Sequence, residues 1–232
     1  VFAGFSEKDA IPIIGNLCRE DMKKSGILAS ISAAQFILES GYGKSELAQK
    51  ANNMFGMKKS LSGNTWGGSS WDGTSIYTKE TKEQNADGSY ETITADFRKY
   101  PCVEDSVADH SAYLLGAKNG KSLRYKGIKG MTDYKAVAQL IKDGGYATSL
   151  TYMEKLCSII EKWNLTQYDV SDANVSAPSK SDTVTDFPST PFTVKVIVDD
   201  LNYRSQPSMK GKVNGQTGKG VFTIVEVKDG WG

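Results

Sequence analysis

The spacing of hydrophobic residues predicts that the chain begins with helices. Ser6 and Asp9 form a capping pair, and the helical pattern after them continues to about residue 24. A second helix is predicted over residues 27–39, where apolar side chains recur every third or fourth position. Gly41 is suited to end this helix, and Ser45 can cap a short third one.

The pattern changes between residues 53 and 100, where Gly, Ser, Thr and aromatic residues replace the helical spacing. Two stretches of alternating or β-branched residues, TSIYTKET and SYETITADF, flank a turn signal at residues 85–88 and predict a β-hairpin lobe. Helical spacing then returns over approximately residues 104–116, 134–143 and 151–163. We therefore predict that residues 1–168 form one α+β domain.

The remaining residues divide into a linker and a second module. Residues 169–190 are dominated by Ser, Thr, Asp and Pro and lack periodicity, which is typical of a linker. Over residues 191–232, short runs such as FTVKVIV and VFTIVEV alternate with Gly-rich turns and predict an all-β module. About 40 residues rarely fold without further support, so we expect a truncated module and a natural protein that continues beyond Gly232.

Composition and charge limit the possible functions. The chain has 28 Lys and Arg against 27 Asp and Glu, so it lacks the basic field expected of a nucleic-acid-binding protein. No apolar run approaches the roughly 20 residues that span a bilayer. Cys18, Cys102 and Cys157 lack metal-ligand spacing and are expected to be small core residues. The single histidine, His110, lies in an amphipathic stretch where a surface or half-buried position is expected, and no metal or cofactor is predicted.

The stretch FILESGYGKS, residues 36–45, offers two kinds of chemistry. Its Gly-Lys-Ser could end a phosphate-binding loop, but that motif needs glycine at position 38 and a preceding strand, whereas Leu38 follows a helical pattern. Glu39 is then the candidate for acid chemistry. At the end of an apolar helix, a half-buried carboxyl would have the raised pKa that a general acid needs near neutral pH. A solvent-facing glutamate without catalytic function is the alternative.

The predicted hairpin lobe supplies further candidates for sugar chemistry. Glycoside hydrolysis usually uses two carboxyl groups, and composition does not choose among the lobe's Glu80, Glu83, Asp87, Glu91 and Asp96. Flat aromatic rings suit the apolar faces of sugars, and the lobe contains Trp66, Trp71, Tyr77, Tyr90, Phe97 and Tyr100. A small aromatic core is the alternative explanation for these rings.

Four motifs occur in the order ILESGYGKSELAQKA, NNMFGMK, ADFRKY and GGYATSLTYMEKL between residues 37 and 156, and the match around them covers approximately residues 6–165. Together they resemble the signature of the peptidoglycan-cleaving N-acetylglucosaminidases of glycoside hydrolase family 73. The resemblance implies a lysozyme-like helical domain with a β-hairpin lobe that closes over a substrate groove. It also implies a monomeric, secreted or wall-associated endo-β-N-acetylglucosaminidase, which cleaves the β-1,4 bond between N-acetylglucosamine and N-acetylmuramic acid in bacterial peptidoglycan.

The resemblance also implies roles for individual residues. Glu39 matches the family's general acid, and Glu83 matches the second carboxylate in its T-x-E segment. Glu80 is the reserve for that second role, because Gln84 follows Glu83 where the family commonly has an aromatic residue. The implied substrate-binding positions, to which we add Trp71 from the aromatic lobe, are Asn53, Phe55, Tyr100 and Tyr146. Ser149 replaces the family's Asp and is expected to serve equally well as a helix cap.

Residues 194–220, VKVIVDDLNYRSQPSMKGKVNGQTGKG, resemble bacterial SH3-like domains. The resemblance implies a truncated all-β SH3-like barrel that binds the cell wall and tethers the enzyme to its polymer. Two alternatives to the glucosaminidase function stay open. One is a lytic transglycosylase or muramidase, which cuts the other glycosidic bond, and the other is a wall-binding protein without activity.

Overall fold

The structure is a computed structural model of the 232-residue chain, and it describes residues 2, 4–60, 66–84, 90–170, 192–196, 201–205, 212–218 and 220–224. The chain divides into two compact units, Val1–Val175 and Ser176–Gly232. Most of the predicted linker, the predicted turn at residues 85–88, and the end of VFTIVEV lie outside the described residues. In the described part, no helix is both long and apolar enough to cross a bilayer.

The first unit combines helices with a long β-hairpin and a very short one, which confirms the predicted α+β class. Its helices are α1 (Glu7–Ser25), α2 (Ala29–Ser40), α3 (Glu46–Ala51), α4 (Val103–Gly116), α5 (Tyr134–Asp143), α6 (Tyr152–Lys162) and a 3₁₀ turn (Leu165–Tyr168). Its strands are β1 (Ile76–Gln84), β2 (Tyr90–Arg98), β3 (Lys118–Asn119) and β4 (Ser122–Leu123). The sequence pattern had not predicted β3, β4 or the 3₁₀ turn, which are too short to show periodicity.

Side-chain caps fix where several helices begin. The Ser6 hydroxyl accepts a hydrogen bond from the Asp9 amide at 3.2 Å, and the Ser45 hydroxyl accepts one from the Ala48 amide at 3.2 Å, so both predicted caps are confirmed. The predicted cap at Ser149 is wrong, because α6 begins later and Thr151 is its N-cap residue. The Ser149 hydroxyl instead lies 3.2 Å from the Thr151 hydroxyl.

Helix α2 is the central helix of the first unit. Ten of its twelve residues are buried, and it packs against α1, α5, α6 and the 3₁₀ turn. A helix that is apolar on all sides is stable only inside a core. Its last turn reaches the surface, where Leu38 is half-buried and Glu39 is exposed. The left-handed residue Gly41, with φ of 57°, then ends the helix as predicted.

The predicted hairpin is formed by β1 and β2, which pair antiparallel from Ile76 opposite Arg98 to Gln84 opposite Tyr90. Its base is tied to the loop after α3 through Asn53, whose side-chain amide donates to the Met57 and Arg98 carbonyls at 2.9 and 2.8 Å. The hairpin therefore begins from a fixed position beside the helical core.

A buried carboxylate joins the hairpin base to α4. Asp109 is fully buried and accepts hydrogen bonds from Arg98 at 2.7 Å and from the Tyr100 hydroxyl at 2.6 Å. Its other oxygen accepts from the Ser69 hydroxyl at 2.6 Å and from the Trp66 indole at 3.2 Å. Four donors satisfy this carboxylate, which is the condition under which a charge is tolerated in a protein interior.

The second unit consists of short strands, in agreement with its predicted all-β character. Strand β5 (Phe192–Val196) pairs antiparallel with β8 (Gly220–Ile224). Strand β6 (Asn202–Arg204) pairs antiparallel with β7 (Val213–Gln216), and the register shifts between Tyr203 and Arg204. Within the described residues these are two separate two-stranded sheets.

Candidate active site

Glu39 occupies the penultimate position of α2, where its side chain is open to solvent although many protein atoms surround it. The enclosure raises the pKa of Glu39, because removal from water disfavours the charged form. The negative end of the helix dipole acts in the same direction.

Tyr152 at the start of α6 fixes the orientation of this carboxyl. Its hydroxyl donates to Glu39 Oε1 at 2.8 Å and accepts a hydrogen bond from the buried Gln35 side-chain amide at 3.1 Å. Because the amide nitrogen can only donate, the tyrosine proton is directed to the carboxyl. This hydrogen bond lowers the pKa of Glu39, but by less than burial raises it. Tyr152 therefore stabilises the anion that remains after Glu39 has given up its proton.

The aromatic residues behind Tyr152 form a continuous wall. The ring of Tyr146 stacks on that of Tyr152, with centroids 5.7 Å apart and an interplanar angle of 26°. The Tyr146 hydroxyl lies 3.1 Å from His110 Nε2. The His110 ring stacks on Phe55 at a centroid distance of 3.8 Å and an interplanar angle of 9°. This row of rings, from Phe55 to Tyr152, leads directly to the candidate acid.

The expected surface or half-buried position of His110 is wrong, because the side chain is fully buried. Phe55, which lies in the loop after α3, covers one face of the imidazole, and this contact between distant parts of the chain has no signal in the local pattern. Burial lowers the pKa of His110 to about 3, and the opposing effect of Asp109 is smaller. The imidazole is therefore neutral at physiological pH.

His110 is the only histidine, so its contribution to stability can be isolated. An unfolded chain binds a proton on histidine below about pH 6.5, whereas the folded protein resists it down to about pH 3. Stability should therefore fall as pH drops through this interval, by about 1.4 kcal/mol per pH unit from this group alone. In His110→Gln, the free energy of unfolding, measured with urea at several pH values, should depend less steeply on pH by that amount. Equal slopes in the two proteins would contradict the burial of a neutral His110.

Two of the predicted substrate-binding residues lie behind the surface. Asn53 is 1% exposed and uses its side chain for backbone hydrogen bonds. Tyr100 is 2% exposed, and its hydroxyl donates to Asp109. Both residues therefore support the hairpin base, and direct sugar contacts by either of them stay predictions.

The other three predicted substrate-binding residues contribute aromatic rings. Phe55 is almost fully buried and Tyr146 is half-buried in the wall beside Glu39. Trp71 is half-buried at the hairpin base, where its indole donates to the Ser75 carbonyl at 2.7 Å. The Arg98 guanidinium lies 4.6 Å from the centroid of the Trp71 ring. The structure thus brings Phe55 and Tyr146 into one wall with Glu39, and it places Trp71 at the hairpin base.

The second carboxylate stays a prediction. Position 83 lies in β1 opposite position 91 of β2, and the Glu83 side chain is outside the described residues, as is Asp87. The reserve candidate, Glu80, is exposed opposite Thr94. It lies on the strand face opposite to that of Tyr77 and Lys79, which contact Glu46 of α3.

The sequence motifs contained two contributors to the site without indicating their roles. Tyr152 is part of the GGYATSLTYMEKL motif, and a tyrosine placed shortly after Tyr146 was the available signal. Gln35 is a polar residue inside an otherwise apolar helix, which is a recognisable sign of a buried hydrogen bond.

Replacing Tyr152 with phenylalanine tests the hydrogen bond to Glu39. Loss of the donor should raise the pKa of Glu39, because the hydrogen bond stabilises the charged form. A general acid is active in its protonated form, so the fall of kcat/KM at high pH should shift to higher pH. Tyr134→Phe is the matched control, because the Tyr134 hydroxyl donates to the exposed Glu161. An unchanged high-pH midpoint in Tyr152→Phe would contradict the interpretation.

The described residues provide no group of three or more His, Cys, Asp and Glu side chains that could hold a metal ion. All three cysteines are free. Cys18 is buried, as expected of a small core residue, whereas Cys102 and Cys157 are half-buried. A pocket of about 320 Å³ at the hairpin base is lined by Ser75, Ile76, Lys99, Tyr100 and Pro101. Since Glu39 is not among its lining residues, this pocket is separate from the candidate acid.

Comparison with known proteins identifies the family. The family model described as glucosaminidase, mannosyl-glycoprotein endo-beta-N-acetylglucosaminidase, matches residues 15–165. The exo-glucosaminidase LytG of Bacillus subtilis is 34% identical over 224 residues, covering 90% of this chain and 73% of the relative. An autolysin of Enterococcus faecalis is 33% identical over 146 residues, which cover 62% of this chain and 18% of that protein.

A solved structure shows a similar fold. The catalytic domain of the autolysin Auto from Listeria monocytogenes superposes with a TM-score of 0.59 at 31% sequence identity, covering 72% of this chain and 90% of that domain. The matched family region contains Glu39 and the whole aromatic wall from Phe55 to Tyr152. The family predicted from the motifs is thus confirmed, and the chain belongs to the glucosaminidase family of glycoside hydrolases.

Proposed function

We propose that this protein is a peptidoglycan hydrolase that cleaves the β-1,4 bond between N-acetylglucosamine and N-acetylmuramic acid, with Glu39 as its general acid. The main support is the environment of Glu39, a carboxyl that solvent can reach and whose pKa is raised by burial. The family match and the named activities of the relatives agree with this chemistry.

The geometry around Glu39 suits the proton transfer. As the glycosidic bond breaks, Glu39 gives its proton to the leaving oxygen, and the sugar passes through an oxocarbenium-like transition state. Water then supplies the hydroxyl at the anomeric carbon. Burial favours the protonated form of Glu39 before the transfer. The Tyr152 hydrogen bond at 2.8 Å stabilises the newly formed carboxylate after it.

Glu83 is the proposed second carboxylate, with Glu80 in reserve. It would activate water or stabilise the positive charge of the transition state, and the substrate's own acetamido group is the other possible nucleophile. A carboxyl separation of about 5–5.5 Å would favour a protein nucleophile, and one of about 6.5–9.5 Å would leave room for water.

Mass spectrometry of digested peptidoglycan tests this function. The proposal predicts products with N-acetylglucosamine at the reducing end, whereas anhydro-muramic ends would indicate a lytic transglycosylase and reducing muramic acid a muramidase. The Bacillus subtilis relative is named an exo-enzyme, so the mode of cleavage needs its own test. The sizes of the fragments released over time distinguish endo from exo cleavage. Endo cleavage, which we propose, gives long fragments early in the digestion, and exo cleavage gives small fragments throughout.

The second unit is proposed to be an SH3-like module that holds the enzyme on the wall. Its strands are all antiparallel, and its sequence carries the SH3-like pattern quoted above. A match covering 90% of the chain cannot be confined to the first unit, so the Bacillus subtilis relative shares part of this second unit. We propose a monomeric enzyme that acts outside the cell at the wall. Sedimentation of the full chain with purified walls, compared with a chain ending at residue 175, tests the tethering.

A further inference from the structure

The segment between α4 and α5 carries an unusual concentration of positive charge. We use the term basic segment for residues 118–129, whose cations are Lys118, Lys121, Arg124, Lys126 and Lys129. No Asp or Glu occurs between Asp109 and Asp133, although the whole chain has a net charge of only +1. The four lysines are exposed and Arg124 is half-buried, so this charge lies at the surface.

The four lysines of the basic segment form no ion pair with the residues that the structure describes. Some lysines elsewhere in the first unit do lie close to carboxylates, as in Lys23 with Glu20 at 2.8 Å and the half-buried Lys79 with Glu46 at 2.9 Å. Among the residues that the structure describes, none of the four lysines of the basic segment has a carboxylate within 4.0 Å. Their charges are thus available to an anion from outside the molecule.

The backbone of the basic segment is held in place. Tyr125 and Ile128 are 2% and 3% exposed, and they anchor it to the core. At one end, the Arg124 amide donates to the Ala117 carbonyl at 2.8 Å, and the β3–β4 pairing places Lys118 opposite Leu123. At the other end, the Gly130 amide donates to the Gly26 carbonyl at 2.9 Å. A fixed backbone lowers the entropy cost of binding a ligand.

The basic segment is also connected to the aromatic wall of the active site. Arg124 Nη1 donates to the Tyr113 hydroxyl at 3.2 Å. The Tyr113 ring packs edge-on against Tyr146 at a centroid distance of 6.1 Å. Tyr146 in turn stacks on Tyr152, which holds Glu39. Three tyrosine side chains therefore connect Arg124 of the basic segment with Glu39.

We propose that the basic segment binds the carboxylates of the peptide stems on the glycan strand that Glu39 cleaves. The inference rests on the proposed function, since it assigns a subsite to the same substrate. The sugar backbone of peptidoglycan is uncharged, and its stems carry the carboxylates. Lysine ammonium groups on flexible side chains suit such stems, because they act as point charges without a fixed geometry. Because the basic segment is connected to the aromatic wall of the active site, binding of the stems is favoured over binding of a separate anionic polymer.

The test compares two charge-matched variants on two glycans. The surface variant carries Lys118→Gln, Lys121→Gln, Lys126→Gln and Lys129→Gln. The control variant carries Lys8→Gln, Lys24→Gln, Lys50→Gln and Lys155→Gln. Each of these four lysines is exposed, and none of them forms an ion pair in the described part of the chain. The substrates are purified glycan strands with their stems and the same strands after the stem carboxylates have been converted to amides. Amidase treatment is unsuitable, because it would leave a lactyl carboxylate on every muramic acid.

On strands with free stem carboxylates, kcat/KM of the surface variant should be about tenfold below that of the control, because the modest effects of four exposed charges add up. Added salt should reduce this difference. On the amidated strands the two variants should agree within about twofold. Equal activity on strands with free stem carboxylates, or an equal loss on both substrates, would overturn the inference.

Two further outcomes are distinguishable. If the surface variant is slower than the control variant only on whole cell walls that retain a phosphodiester polymer, the basic segment binds that polymer. The assignment to the stems is then overturned. If the unmodified protein releases no reducing N-acetylglucosamine from either glycan, the proposed function itself has failed. Circular dichroism of both variants shows that they are folded before rates are compared.

Discussion

Glu39→Gln is expected to lower kcat for peptidoglycan hydrolysis by about a thousandfold, within the range for loss of a general acid. Glutamine has nearly the same shape and can still accept the Tyr152 hydrogen bond through its carbonyl oxygen. Because Glu39 lies at the surface end of α2, the buried part of that helix is unaffected. Reducing ends released from purified walls give the rate directly.

The control for this variant is Glu20→Gln, which changes an exposed carboxylate of α1 paired with Lys23. It should hydrolyse walls at the normal rate. Glu39→Gln should still sediment with walls, because only the acid has been removed. Hydrolysis that persists in Glu39→Gln would show that another group supplies the proton. If the unmodified protein and both variants sediment with walls but none of them hydrolyses walls, the protein is a wall-binding protein without activity.

The largest effect on stability is expected from Asp109→Ala. Removal of this buried carboxylate leaves the Arg98 guanidinium, whose side chain is 8% exposed, without its counter-charge. Tyr100, Ser69 and Trp66 lose their acceptor in the same change. Breaking a buried ion pair on one side costs about 3–5 kcal/mol, a large part of the stability of an ordinary domain. Urea unfolding should show this decrease in the free energy of unfolding.

Glu104→Ala serves as the control, because Glu104 is an exposed carboxylate in the first turn of the same helix, α4. Its expected cost is below about 1 kcal/mol, from the lost interaction with the helix dipole. A similar, small loss in Asp109→Ala would mean that Asp109 is not the anchor of the hairpin base.

Local patterns in the sequence were sufficient for the elements that local physics determines. Apolar spacing, together with caps such as Ser6 and Ser45, located the first three helices to within a few residues. Alternating residues around a turn signal located the long hairpin. The motif around Glu39 indicated the proposed acid, because a negative charge at the C-terminal end of a helix is unfavourable and is unexpected for a purely structural glutamate.

Contacts between distant residues explain what the sequence did not show. The partner of Glu39 is Tyr152, 113 residues later in the chain. His110 is buried because Phe55 stacks on it, and Asp109 is an anchor because Arg98 and Trp66 reach it. Each of these depends on how helices and loops pack, and a hydrophobic pattern read along one element contains no information about the neighbouring element.

The most direct test of the central claim is the pKa of Glu39 itself, measured in the full chain by carbon NMR titration of its side-chain carboxyl. The account predicts a midpoint above the ordinary value for glutamate, because burial outweighs the Tyr152 hydrogen bond. A midpoint equal to or below the ordinary glutamate value would show that Glu39 is an ordinary surface carboxylate, and the proposed acid would be contradicted.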